Sequence, residues 1–171
     1  MNTSRFAKLS LFGVLALALY GLESLLPPLF PIPGIKLGLS NLVTVLLLYD
    51  HKKHSFCDPL WVLVVRILLA SILFGQVVSL FYSLIGGLFC FASMTAVCKL
   101  LHGHYPIIGS MVGGLTHNIG QLCVAMLLTV SFAPLAFLPY LLISGLFAGF
   151  GIGLLAVLLG RSVLHTLPRS S

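Results

Sequence analysis

A chain of 171 residues that is 59% hydrophobic and 7% charged, with a mean hydropathy of +1.15, cannot cover a water-facing surface, since soluble domains carry roughly 25% charged residues. Its net charge of +6 fits an integral membrane protein whose basic residues gather in cytoplasmic loops, and it gives no reason to invoke a nucleic-acid partner. The apolar runs are continuous, which excludes an alternating β-barrel; at about 20 apolar residues per span, the expectation is all-α, one transmembrane domain over 1–171 built as a bundle of six transmembrane helices.

The first span is expected over residues 8–26, with Arg5 and Lys8 at its start. Basic residues, an apolar stretch and Ala16-x-Ala18 imitate a secretory signal, but another apolar span follows rather than a polar mature domain, so cleavage is not expected. The stretch from Glu23 to Asn41 then interrupts the apolar sequence. It holds four of the nine prolines and one of the three acidic residues, and it leads into a second span over 37–49. That span is short, so part of the proline-rich stretch is expected at membrane depth, where irregular backbone is tolerated against protein or a water-filled cavity.

The polar run from Asp50 to Asp58 reads as a loop, and Pro59 suits the start of a helix because its missing N–H costs little there. The third span is expected over 59–74, with Gly75-Gln76 as a break, and the fourth over 77–101. The fifth is expected over 107–130 and the sixth over 135–160, separated by Ser131-Phe132-Ala133-Pro134. Six spans with a cytoplasmic N-terminus put Arg5, Lys8, Lys52, Lys53, Lys99, Arg161 and Arg169 inside and Lys36 alone outside. The positive-inside rule therefore favours cytoplasmic N- and C-termini. Four cysteines without C-x-x-C spacing, three of them in apolar runs, read as small buried hydrophobes, and no metal or cofactor is expected.

Ionisable residues inside spans are functional-site candidates. Arg66 is the clearest, either as a clamp on neighbouring backbone or as a contact for an anionic ligand. In the fifth span His117 and Gln121 are four apart and share a helix face, with Asn118 alongside; the choice is between ligand contact and interhelical hydrogen bonding. At about 1.5 Å per residue, His117 and Arg66 fall near the midplane, whereas Glu23, Lys36, Ser40, Asn41 and Gln76 fall toward the outer face. These groups are expected to line one outward-opening cavity. Lys36, Arg66 and the N–H groups at the start of the second helix suit an anionic small molecule. Glu23 paired with Lys36 is the plainer alternative, and Tyr82 is placed in the core or at the cavity edge. Gly145-x-x-x-Gly149 reads as a helix-packing motif.

The runs Glu23-Ser24-Leu25-Leu26-Pro27-Pro28, Pro33-Gly34-Ile35-Lys36-Leu37-Gly38-Leu39-Ser40-Asn41, Arg66-Ile67-Leu68-Leu69-Ala70-Ser71, Ser83-Leu84-x-Gly86-Gly87 and His117-Asn118-x-Gly120-Gln121 together resemble the Gx transporter family. That family also carries the label heptaprenyl diphosphate synthase component I. The resemblance spans about residues 10 to 160 and implies kinship with the S-components of energy-coupling factor transporters. Those are six-helix, multi-pass proteins of the bacterial cytoplasmic membrane. They capture a small molecule outside and work with a transmembrane coupling subunit and ATPases. The first helix here has Gly13, Ala16, Ala18 and Gly21 but lacks the strict Ala-x-x-x-Ala docking spacing of S-components.

The older label raises an enzyme hypothesis. Prenyl-chain elongation of the helical type relies on Mg²⁺ held by aspartate-rich motifs, and hard cations take several oxygen ligands. With Glu23, Asp50 and Asp58 as its three acidic residues, the chain cannot supply that site alone. The expectation is a non-enzymatic, substrate-binding membrane subunit for transport of a small, anionic or aromatic molecule. The alternatives are a membrane partner of a prenyl diphosphate synthase in isoprenoid or quinone synthesis, or a purely structural subunit.

Overall fold

The computed structural model describes residues 3–25, 38–49, 57–74 and 77–166. All regular structure among them is helical: α1 (Thr3–Leu25), α2 (Asn41–Tyr49), α3 (Cys57–Phe74), α4 (Val77–Leu100), α5 (Pro106–Thr129) and α6 (Leu138–Thr166), with a 3-10 turn at Ala133–Phe137 before α6. Five of the six, all but α2, are long and apolar enough to cross a membrane. Their outer faces carry exposed Leu11, Trp61, Ile72, Leu127 and Phe147, the surface expected where the neighbour is lipid rather than water.

α2 is the exception and the centre. The apolar sequence suggests a span over 37–49, but the chain makes a turn through Gly38–Ser40 and the helix begins only at Asn41. Nine helical residues cover about 13 Å at about 1.5 Å each, well short of a crossing. The helix is instead buried nearly all round, and it touches all five other α-helices. Leu42, Val45 and Leu48 pack with Cys90, Met94 and Cys98 of α4 and Ile152 and Ala156 of α6. Val43 and Leu47 pack on the opposite side with Ala16 of α1 and Val62 of α3. A helix that is apolar around most of its circumference suits this central position.

Around α2 the long helices form an open arc, with α1 and α6 at its two ends and, among the described residues, not in contact. α1 lies on α3, α3 on α4, and α5 is held between α4 and α6. Glycine sets the closest approaches. A Cβ on Gly145 would stand 2.7 Å from the Gly114 carbonyl oxygen, and one on Gly120 would stand 2.9 Å from the Gly86 Cα. Both crossings are therefore backbone against backbone. At one end of the bundle Arg5 grips Asp58 with both nitrogen–oxygen contacts, Nη2–Oδ1 2.6 Å and Nε–Oδ2 3.3 Å. Asp58 thus lies in the first turn of α3 rather than in the preceding loop, where a carboxylate also complements the helix dipole.

Candidate functional site

The polar residues of this apolar chain gather near the start of α2. Glu23, close to the C-terminal end of α1, accepts two backbone hydrogen bonds, from Gly38 N to Oε1 at 2.6 Å and from Leu39 N to Oε2 at 3.0 Å. Gly38 has φ +80, a left-handed backbone that glycine adopts without a Cβ penalty. The turn is closed by Asn41 N donating to the Gly38 carbonyl and Leu42 N to the Leu39 carbonyl, at 2.8 and 3.0 Å. The next residue of the turn, Ser40, accepts a hydrogen bond from Arg66 Nη1.

Arg66 comes from the middle of α3 and is 4% exposed. Its guanidinium carbon stands 6.0 Å from the centroid of the Tyr20 ring, within cation–π range. Tyr20 is fixed by a 3.0 Å hydrogen bond between its hydroxyl and Ser79 of α4, and by a tilted contact with Phe74 at 5.6 Å between ring centroids. Arg66 lies near enough to Glu23, Tyr20, Cys90 and His117 to interact electrostatically with each. The buried cation therefore bonds a hydroxyl and lies by an aromatic face, with the charge of Glu23 in electrostatic range.

His117 and Gln121 of α5 face the same region. Gln121 Nε2 and His117 Nε2 are 3.1 Å apart, and the two residues are 1% and 6% exposed, Gln121 being the more buried. By strict hydrogen-bond geometry His117 Nδ1 and Gln121 Oε1 lack a partner among the described residues. The Gly86 backbone nevertheless interacts with His117, and a Cβ on Gly86 would stand 3.0 Å from Nδ1, so that nitrogen faces α4. Gln121 Oε1 is left as the unmet acceptor, at a cost of about 1–3 kcal/mol for a buried group.

A small cavity adjoins the cluster, lined by Asn41 and Val45 of α2, Cys90 and Met94 of α4, Ser110 and His117 of α5, and Ile152 of α6. It leaves about 10 Å³ for the centre of a water-sized molecule, room for about one water. Anything larger requires the helices or the Gly38–Asn41 turn to move.

The sequence-derived candidates divide accordingly. Glu23, Ser40, Asn41, Arg66, His117 and Gln121 come together from four helices and the turn before α2. Lys36 and Gln76 lie outside the described residues, as do residues 26–37 of the proline-rich stretch. Asn118 turns toward α6, donating to the Leu141 carbonyl at 2.7 Å and to Ser144 Oγ at 3.2 Å. Tyr82 is core, packed with Val124 and Ala125. The N–H groups expected to be free for a ligand at the start of the second helix are engaged at Gly38 and Leu39 by Glu23. Tyr20 and Ser79 were not legible as site residues. A position three residues before Glu23 on one helix face is the signal that points to Tyr20.

A family described as heptaprenyl diphosphate synthase component I matches residues 12–159. No curated protein and no solved structure matches the chain.

Proposed function

The chain belongs to the heptaprenyl diphosphate synthase component I family, and from that premise we propose that it is a membrane subunit that binds a small molecule for transport, in the manner of an S-component. Its place is the cytoplasmic membrane of a bacterium, with both termini inside; five helices are long enough to span it, and the sixth crossing counts the short α2 as the return from the Glu23 end of α1 to the Arg5–Asp58 end, where α3 starts. Its partners are the lipid bilayer and a coupling subunit with ATPases. One observation carries the reading. Arg66, Glu23, Ser40, Asn41, His117 and Gln121 converge from four helices and the turn before α2 on one buried locus, and Gln121 Oε1 in it lacks a hydrogen-bond partner among the described residues. Interhelical hydrogen bonding alone, worth about 0.6 kcal/mol per bond on average, gives no reason to bury a cation beside an idle amide oxygen. Arg66, His117, Gln121, Ser40 and Asn41 are the proposed contacts, with Lys36 added from the adjoining stretch.

The test is ligand retention. Purified protein is expected to carry, or to be thermally stabilised by, a small molecule extracted from its host membrane. His117→Ala and Arg66→Lys are expected to lose that stabilisation at least about tenfold in affinity, corresponding to about 1.4 kcal/mol, while remaining folded. Wild-type retention by both variants would overturn the site.

The family's description favours a second reading, a non-catalytic membrane partner of a prenyl diphosphate synthase. With three acidic residues in the chain, the Mg²⁺-binding carboxylates of such an enzyme belong to another subunit. Copurification with a prenyl synthase, and loss of long-chain product when this chain is removed, would select this reading over transport.

A further inference from the structure

Two polar side chains that line the small cavity beside α2 are idle. Asn41 of α2 and Ser110 of α5 are 6% and 3% exposed, and both face that space. No hydrogen bond joins the Asn41 side-chain amide or the Ser110 hydroxyl to another described residue. A helical serine or threonine can return its hydroxyl to the carbonyl one turn back, as Thr129 does to Ala125 at 2.8 Å. Ser110, in the second turn of α5, does not, and an unmet buried hydroxyl destabilises the bundle that holds it.

The walls of the cavity differ in stiffness. On one side Gly114 and Gly149 bring α5 and α6 together backbone against backbone. A Cβ on Gly149 would run into the Ser110 carbonyl oxygen and stand 2.7 Å from the Met111 Cα. That wall cannot retreat. The α4 wall carries Met94, whose Sδ would lie 2.6 Å from a Cβ on Gly113. Its unbranched thioether is adaptable, so a rotamer change at Met94 enlarges the cavity without parting α5 from α6. The chemistry of the lining is as selective as its shape. None of the described residues that line it is Asp, Glu, Lys or Arg, and Val45 and Ile152 make part of it apolar. Arg66 stands outside the lining, with Nη1 engaged by Ser40. A charged group placed here would lack a counter-ion, which costs far more than burying a hydrogen-bonded neutral one. The Asn41 carboxamide presents a donor and an acceptor side by side, the complement of another amide, and the Ser110 hydroxyl offers one more of each.

We propose that this cavity is the deep end of the ligand site, and that Asn41 and Ser110 there select an uncharged amide, open-chain or in a ring. This rests on the reading of the chain as a small-molecule-binding subunit and narrows its ligand class. Met94 yields to admit the group, and the α5–α6 crossing holds the Ser110 hydroxyl in place.

Three molecules of one shape separate the chemistries: acetamide, acetone, which lacks the N–H donors, and acetate, which is charged. Wild type and Ser110→Ala are melted in detergent with each at matched concentration and ionic strength. Acetamide is expected to raise the wild-type Tm saturably, by about 2–4 °C over acetone and acetate. Ser110→Ala is expected to need at least about tenfold more acetamide for the same rise. Without additive, Ser110→Ala is expected to melt at or above the wild-type temperature, because it removes an idle hydroxyl rather than a bond. A fall in that Tm, or failure of the variant to fold, would show the hydroxyl bonded within the bundle and overturns the proposal. A wild type that ignores acetamide or answers all three molecules equally overturns it too, as does an acetamide response that Ser110→Ala keeps. Ser110 is the deciding position, because Asn41 begins α2 and a change there also alters that helix end. A null result leaves small-molecule binding itself standing, since that reading is tested by retention of the native molecule in the His117 and Arg66 variants.

Discussion

Arg66 and Asn118 show two different uses for polarity in an apolar bundle. The Arg66 guanidinium bonds Ser40, lies over Tyr20 and faces the charge of Glu23, so its surroundings offset part of the cost of burying a cation. Asn118 is also buried, but its amide nitrogen is spent on the Leu141 carbonyl and Ser144. It ties α5 to α6. Asn118→Ala is therefore expected to destabilise by about 1 kcal/mol, a loss of about 2–4 °C in Tm, with ligand affinity unchanged; a binding loss as large as that of His117→Ala would place Asn118 at the ligand. The sequence singles out Arg66, His117 and Gln121 because ionisable and amide groups inside apolar helices need a local reason. It cannot say which way Asn118 points, since His117 and Asn118 are adjacent and only the packing of α4 and α6 on either side of α5 decides between them.

At the scale of the elements, the boundaries of the long helices are legible to within a few residues because bilayer thickness fixes the length of an apolar run. α1 extends five residues before the expected start at Lys8, and α6 begins at Leu138, three residues after the expected start at Leu135. α2 is different. Its residues are as apolar as those of any span, and hydropathy cannot distinguish a helix surrounded by lipid from one surrounded by other helices. Contacts between helices separate the glycines in the same way. Gly145 sits where a Cβ would stand 2.7 Å from the Gly114 carbonyl oxygen and 2.9 Å from Asn118 Nδ2, whereas Gly151, six residues on, has nothing within 4 Å. Gly145→Ala is expected to push α5 and α6 apart and cost about 1–3 kcal/mol. Gly151→Ala is expected to be neutral, or to stabilise by up to about 1 kcal/mol through helix propensity. Thermal melts of the two variants in detergent check the contrast, and equal losses would mean that the α5–α6 crossing is looser than its backbone contacts indicate.

For the whole molecule, the direction in which the site opens depends on which end of the bundle faces the cytoplasm, and two features at opposite ends bear on it. The Arg5–Asp58 pair joins the starts of α1 and α3, and Glu23 joins the other end of α1 to the start of α2. The site therefore lies away from the Arg5–Asp58 end. On the proposed topology, the basic residues near the start of α1 (Arg5, Lys8) and in the run before α3 (Lys52, Lys53) outnumber those on the opposite side, and the positive-inside rule then favours a cytoplasmic Arg5–Asp58 end and an exterior Glu23 end. In a Cys123→Ser background Cys57 reports on this directly, because it is exposed at the start of α3 while Cys90 and Cys98 are buried and Cys123 is half-buried. A membrane-impermeant maleimide is expected to leave Cys57 unlabelled in intact cells and to label it once the membrane is opened. With Cys57→Ser added to that background, Ser131→Cys, exposed between α5 and α6, is expected to react from outside. The reverse pattern would turn the polar site toward the cytoplasm, and a subunit with its binding site on that side would serve export or a cytoplasmic enzyme rather than uptake.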